Sequence, residues 1–272
     1  MNLNIDQLRR MVGATSIERL YDLLLHDEIS IKKSHHPNPI NQKSRFYGFS
    51  QNDEDSITLE ILKRIDLNKG FFVEFGVGNG LENNSIILLS LNWHGAWFGG
   101  EDIAFDISNS NKLSFKKVWI QKDNILDLYN SLNKEADVIS LDLDGNDIYL
   151  AEKLLSNNIF PKLFIIEYNG KFPPNVNFKI EYNPNHTWDG GDYFGASISA
   201  FNELFLRFDY KLVCCNLTGS NAFFVKSEYS SLFEDIPDDL NDIYNEPFYF
   251  LRNKKMHPTS SKTLERLIKS EI

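Results

Sequence analysis

Acids set at intervals along the chain, together with one run of alternating glycines, are the residues equipped to do chemistry. The run Phe71-Phe72-Val73-Glu74-Phe75-Gly76-Val77-Gly78-Asn79-Gly80 joins an apolar stretch suited to a buried strand to three glycines. Those glycines let the following turn pass close to a ligand. The spacing departs from the G-x-G-x-x-G of dinucleotide sites, whose helix N-terminus faces a pyrophosphate. Here the third glycine comes one residue early and an acid stands two before the first. That acid repels a phosphate and attracts an ammonium. The phosphate-cradling G-x-x-x-x-G-K-[ST] is absent. The segment therefore predicts a pocket for a nucleoside that carries positive charge and no phosphate.

Four more acidic clusters follow apolar runs: Glu101 after Gly99-Gly100, Asp123-Asn124, Asp142-Leu143-Asp144-Gly145-Asn146-Asp147, and Glu167-Tyr168-Asn169. In an open α/β sheet ligands sit beyond the carboxyl ends of the strands, where these acids fall. Three carboxylates and an amide within residues 142–147 repel one another in a low-dielectric cleft unless a cation intervenes. Alternation along a strand puts Asp142 and Asp144 on one side, where they can share a hard ion such as magnesium, with Glu167 and Asn169 completing the oxygen set. Without an ion the same acids are candidates for a general base toward a substrate hydroxyl. His186, Trp188, Asp189 and Asp192, beside Gly190, Gly191 and Gly195, form a candidate substrate wall with a base, and Ser197 is placed to open the next helix. His35 and His36 read as surface or structural residues. Asp142-x-Asp144 leaves open a glycosyltransferase that holds a divalent ion against a nucleotide-sugar diphosphate. A non-catalytic module that keeps the pocket is a third reading.

The elements that position these groups alternate from residue 71 onward. Strands are expected near 71–75, 95–99, 117–120, 137–142, 163–167, 210–216 and 221–226, with helices near 83–92, 124–133, 147–157 and 196–207. The alternation argues for a mostly parallel sheet covered on both faces. The short Leu217-Thr218-Gly219-Ser220 link makes the last two strands an antiparallel hairpin. Before the sheet, Leu8, Met11, Val12, Ile17, Leu20, Tyr21, Leu23 and Leu24 recur at helical spacing. Residues 34–44 read as an ordered loop or lid, because Pro37 and Pro39 argue against a helix. Ser50 to Asp55 are polar residues opening an amphipathic helix.

The chain has 272 residues and a formal net charge of −10, which opposes binding to nucleic acid or an anionic membrane surface. No basic region followed by an apolar stretch opens the sequence, and no window approaches the roughly 20 apolar residues of a membrane span. The adjacent Cys214 and Cys215 lie in an apolar run and read as a buried strand pair rather than a disulfide or metal site. A soluble cytoplasmic protein is expected.

The pattern E-x-G-x-G-x-G at 74–80 resembles the first motif of S-adenosylmethionine-dependent methyltransferases. Residues 50–55, 72–84, 140–147, 166–169 and 188–197 together resemble bacterial methyltransferase-like proteins of the FkbM group. The resemblance implies a Rossmann-like seven-stranded, mostly parallel sheet with an antiparallel final hairpin, here with an N-terminal helical extension. On this reading 1–47 are the extension and its loop, 48–230 the catalytic domain, and 231–272 a tail packing on the domain or on a partner in a homodimer. It implies S-adenosylmethionine held by Gln51, Glu74, Gly76, Gly78, Asn79, Glu101, Asp123 and Asn124. Glu101 would take both ribose hydroxyls, Glu74 would serve the methionine end, and Asp123-Asn124 would reach the adenine amino group. Asp142, Asp144, Glu167 and His186 are the expected catalytic residues, and Asp142, Glu167 and Asn169 the expected ligands of a Mg2+ ion. A metal-dependent methyltransferase of the catechol type similarly uses an Asp after the fourth strand with an Asp-Asn pair after the fifth, whereas here the pair is Glu-x-Asn. Many proteins of the FkbM group accompany surface-polysaccharide biosynthesis, so the implied reaction is O-methylation of a sugar or sugar-linked hydroxyl on a small-molecule or glycan acceptor. Neither nucleic acid nor stable membrane insertion is expected.

Overall fold

Strands covered on both faces read as unbroken apolar runs, and β1 (Phe71–Phe75) and β4 (Val138–Leu141) are buried at every position. They are the centre of a seven-stranded sheet in a computed structural model that describes residues 30–44, 48–108 and 110–248. With β2 (His94–Gly99), β3 (Leu113–Lys117), β5 (Leu163–Glu167), β6 (Tyr210–Cys215) and β7 (Asn221–Lys226), the strand order is β3-β2-β1-β4-β5-β7-β6. Pairing is parallel from β3 to β5, and β7 runs antiparallel to both β5 and β6. The molecule has the expected Rossmann-like α/β fold with an antiparallel final hairpin. Chain order reverses between β1 and β4, so a crevice opens beyond their carboxyl ends.

Some elements differ from expectation. The third strand is Leu113–Lys117, not 117–120, because the pairing to β2 runs from Gly95↔Leu113 to Gly99↔Lys117. An edge strand needs only one covered face, so its Leu-Ser-Phe-Lys-Lys carries little apolar signal. The apolar Val118-Trp119-Ile120 beyond it forms the strand exit, with Trp119 half exposed and its indole N–H donated to Pro184 O at 2.8 Å. Residues 34–44 are not a lid. Pro39 starts a short helix α1 (Pro39–Lys43), where a missing N–H costs nothing, and Asn38 caps it by accepting from Ile40 N at 2.9 Å. Asn38 and Asn41 also donate to the carbonyls of Val213 and Cys215, so this segment covers the exposed edge of β6. Both cysteines are buried and free.

α2 (Glu54–Arg64) packs Ile57, Ile61 and Leu62 into the core. α3 is only Ile86–Ser90, shorter than the predicted 83–92, because residues 84–85 are tied to Glu74. α4 (Ile125–Asn130), α5 (Asp147–Leu155) and α6 (Ile198–Leu206) follow, the last capped by Ser197, whose Oγ accepts from Ala200 N. A 3-10 turn (Ser227–Phe233) and α7 (Leu240–Ile243) close the described chain. Beyond α7, Asn245 accepts from Tyr168 OH through its carbonyl, and Phe248 N donates to Thr218 O, which fastens this segment to the β6–β7 turn. The expected N-terminal helical residues 8–24, and Tyr249 and Phe250, lie outside the described residues. Among the described residues no helix is long and apolar enough to cross a membrane.

Candidate active site

A cavity of about 310 Å³ opens beyond the carboxyl ends of β1, β4 and β5. The glycine turn after β1 forms one wall. Gly76 has φ +96°, and a Cβ there would lie on the Asp142 carbonyl oxygen, so only glycine allows the turn to cross β4 so closely. Gly78, at φ +48°, lines the cavity, and a Cβ there would meet nothing within 4 Å. A side chain at Gly78 would enter open space.

The floor is acidic. Glu54, Glu74, Asp142, Asp144 and Glu167 all line the cavity, and no Lys, Arg or His does so among the described residues. Burial, and then the nearby Asp144 and Asp147, hold Asp142 well above the usual carboxyl range. Burial and the facing Asp142 do the same to Glu167, whose Oε2 is buried with no hydrogen-bond partner. One carboxylate oxygen from each of Asp142, Asp144 and Glu167 lies within 4.8 Å of the others. Asp147 accepts from Leu143 N (2.8 Å) and Gly145 N (2.9 Å), which fixes the loop and holds Asp144 at φ +52°. Burial raises Asp147 itself to about 6.

The expected residues divide by what their side chains touch. Gly76, Gly78, Asn79, Asp142, Asp144 and Glu167 line the cavity together, and Gln51 joins them from the loop before α2, donating to Glu82 at 3.2 Å. Glu74 faces the cavity but its oxygens are occupied. They accept from Asn84 N (3.0 Å), Ser85 N (3.1 Å) and Ser85 Oγ, which also takes the Trp97 indole N–H. Glu74 therefore anchors the turn into α3 instead of holding the methionine end of a cofactor. Glu101 is exposed at the end of β2 and lies outside the cavity wall, as does exposed Asp123. Asn124 turns its amide back on its own loop, accepting from Gln121 N and donating to Trp119 O, and does not cap α4.

Asn169 does not join the acids. Its Nδ2 donates to Asp192 O and Phe194 O and its Oδ1 accepts from Lys171 N, so it organises the loop before α6 and takes no place in the expected metal set. Asp192 is buried and paired with Lys171 at 2.5 Å. His186 packs on Gly145, where a Cβ would stand 3.1 Å from Nε2, and it is absent from the cavity wall. It is a neighbour of the acid loop and not a base inside the pocket.

Sequence reasoning missed Glu54 and Asn221. Asp53-Glu54-Asp55 looks like an acidic helix start, yet Asp53 makes no side-chain cap. It accepts instead from Leu217 N across the domain, and burial with the adjacent Glu54 raises it to about 7. Glu54 accepts from Asn216 Nδ2 (2.7 Å) and Asn221 Nδ2 (3.1 Å). The consecutive acids were the visible signal, since one helix start rarely has use for three buried carboxylates.

No protein-family model and no curated protein matches the chain. Among solved structures it is similar to the MycE methyltransferase of the mycinamycin biosynthetic pathway, in complex with Mg, SAH and mycinamycin VI, at 14% identity and TM-score 0.43. That match covers 78% of this chain and 57% of MycE. It is similar to CalO1, a methyltransferase of calicheamicin biosynthesis in its SAH-bound form, at 12% identity and TM-score 0.36, over 80% of this chain and 60% of that one. A precorrin-6y C5,15-methyltransferase from Geobacter metallireducens matches at 10% identity and TM-score 0.40, over 69% of this chain and 95% of its own. The chain thus spans under two thirds of the first two proteins, and TM-scores below 0.5 assign it neither cofactor nor acceptor.

Proposed function

We propose that this chain is an S-adenosylmethionine-dependent O-methyltransferase acting on a hydroxyl of a sugar or sugar-linked group, in bacterial capsule or other surface-glycan biosynthesis. One observation carries the reading. Beside a turn with room at Gly78, the switch-point cavity is walled by carboxylates, with no cationic side chain among the described residues. Such a wall disfavours pyrophosphate and favours a nucleoside bearing ammonium and sulfonium charge. A volume of about 310 Å³ lies at the lower end of small-molecule sites. The glycan acceptor rests on the ordered motifs at 50–55, 72–84, 140–147, 166–169 and 188–197.

The residues present fit such a cofactor, which when bound supplies the methyl group. Gly76 and Gly78 let the backbone approach it, Gln51 and Asn79 border its mouth, and Glu101, exposed at the end of β2, can accept from a ribose diol. Catalysis is mostly positioning of the acceptor oxygen in line with the methyl carbon. As that oxygen forms its bond, its proton passes to the Asp142–Glu167 pair, whose proton affinity burial and mutual repulsion raise above that of ordinary carboxylates. Titration calorimetry with S-adenosylhomocysteine tests the reading, with saturable one-to-one uptake expected. Uptake of a nucleotide sugar in its place would establish the glycosyltransferase, and uptake of neither the non-catalytic module. Mass spectrometry of acceptor mixtures with labelled cofactor then identifies the methylated group.

A further inference from the structure

We propose that the buried acceptor atoms Glu167 Oε2 and Asn221 Oδ1 seat a primary ammonium carried by the acceptor, so that the sugar methylated here is an amino sugar. Giving the amine to an acceptor rests on the methyl-transfer reading; the seat itself rests on these atoms.

Antiparallel pairing brings the two residues together. Glu167 ends β5, Asn221 opens β7, and they are register partners across that pair. Side chains at paired positions share one face of a sheet, and both of these line the cavity. Asn221 is 5% exposed and donates through Nδ2 to Glu54 at 3.1 Å, which sets its amide with Oδ1 as the remaining polar atom. That oxygen is buried without a hydrogen-bond partner, and so is Glu167 Oε2. Two buried acceptors are costly to leave without donors, so the ligand that suits them brings at least two. A single hydroxyl supplies one. A primary ammonium supplies three from one compact head, enough for both acceptors and for Asp142, which is hydrogen-bonded to Glu167.

Charge separates an amine from a neutral pair of donors such as a diol. The wall holds Glu54, Glu74, Glu82, Asp142, Asp144 and Glu167, with no cationic side chain among the described residues. Counting one proton as shared by Asp142 and Glu167 still leaves that wall negative. A cofactor with sulfonium, ammonium and carboxylate groups brings only one net positive charge. An acceptor bearing phosphate or carboxylate is therefore repelled, and one bearing an amine is drawn in. Position gives the amine to the acceptor and not to the cofactor, because β5 and β7 lie two and three strands from the glycine turn of β1, roughly 10 and 14 Å at the spacing of neighbouring strands. Glu167 belongs both to this seat and to the pair that takes the hydroxyl proton. Amine and reacting hydroxyl thus stand close together, as on adjacent carbons of an amino sugar.

The probe is 2-aminoethanol, the fragment common to vicinal amino alcohols, added to the full-length protein and followed by saturation-transfer nuclear magnetic resonance. Ethylene glycol keeps two hydroxyl donors without the charge, and choline keeps the charge without N–H groups. 2-Aminoethanol is expected to bind at least about tenfold more tightly than either, through charge-assisted hydrogen bonds that the other two lack. Asn221→Leu is expected to remove most of that preference. Glu167→Gln, which relieves crowding among the acids, is expected to do the same and serves where Asn221→Leu does not fold. Equal affinity for the three probes, or a folded variant of either kind that keeps the wild-type preference, overturns the seat. Saturating S-adenosylhomocysteine should leave 2-aminoethanol bound, and displacement would give the seat to the methionine end of the cofactor and overturn its assignment to the acceptor. If S-adenosylhomocysteine does not bind while the probe preference persists, the cofactor reading fails and the ammonium seat stands.

Discussion

Three neighbouring strand ends carry acids that look alike in sequence and behave differently. At the end of β1, two backbone N–H groups, a serine hydroxyl and the Asn83 side chain converge on Glu74. At the ends of β4 and β5, Asp142 and Glu167 face each other, with a glutamate oxygen left without a donor. Burial raises the proton affinity of all three, so that property does not distinguish them. Donor supply does. An acid met by fixed N–H groups is part of the scaffold, and one met by other acids awaits a proton, a cation or a substrate.

The sharpest way to break this contrast is to remove the scaffold acid. Glu74→Ala strands the N–H groups of Asn84 and Ser85 in the core at about 1–3 kcal/mol each, so its midpoint in denaturant should fall steeply. Gly76→Ala should cost at least as much, since its Cβ collides with backbone at Asp142. Wild-type stability in Glu74→Ala would erase the distinction between the two acid sites.

Asp142→Asn should do the reverse. It relieves like-charge repulsion and is expected to raise metal-free stability by roughly 1 kcal/mol while lowering turnover by about 10²-fold or more. The pH dependence has a definite sign. Asp53 and Asp147, near 7 and 6 in the folded state against an ordinary 3.8, bind protons in the native state that the unfolded chain releases. They therefore destabilise the fold above those values, and stability contributed by protonation grows as pH falls from about 7 toward 4. Thermal unfolding across that range should show the midpoint rising on mild acidification, and less so in Asp142→Asn. A midpoint that falls steadily from pH 7 to 5.5 would mean these acids are not crowded in solution.

The same contrast marks what was legible. Strand ends at 74, 101, 142 and 167 and the glycine turn could be read directly, because apolar runs and glycine spacing are local properties. What each acid touches is not local. Glu74 looked like a ligand contact because its donors, Asn84 and Ser85, lie across a turn whose course the spacing alone does not reveal. Asn169 looked like a metal ligand because it follows Glu167, whereas the residue beside Glu167 in space is Asn221, 54 positions on and brought there by antiparallel pairing. Pro39 argued against a helix by its type and began one by its position.

Gly78→Ala sharpens the comparison at smaller amplitude. Its left-handed φ costs about 1–2 kcal/mol for any residue with a Cβ, but no atom stands in the way, so the protein should fold. Affinity for S-adenosylhomocysteine should drop at least about tenfold in calorimetry, since the methyl group projects into the cavity. Undiminished uptake would show that the turn does not face the ligand.

Glu101→Gln should move stability least of all, because that side chain is exposed. If Glu101 reaches the ribose diol, the amide keeps one acceptor and loses the charge, weakening cofactor binding about 5-fold, the scale of one charge-assisted hydrogen bond. Thermal stability without ligand and cofactor affinity should thus separate: unchanged in the first, reduced in the second. Glu74→Ala predicts the opposite order, with the fold failing before binding can be measured. Equal affinities for wild type and Glu101→Gln would leave ribose recognition to other residues of the cavity mouth, and the acid at the end of β2 would then be a solvated loop residue.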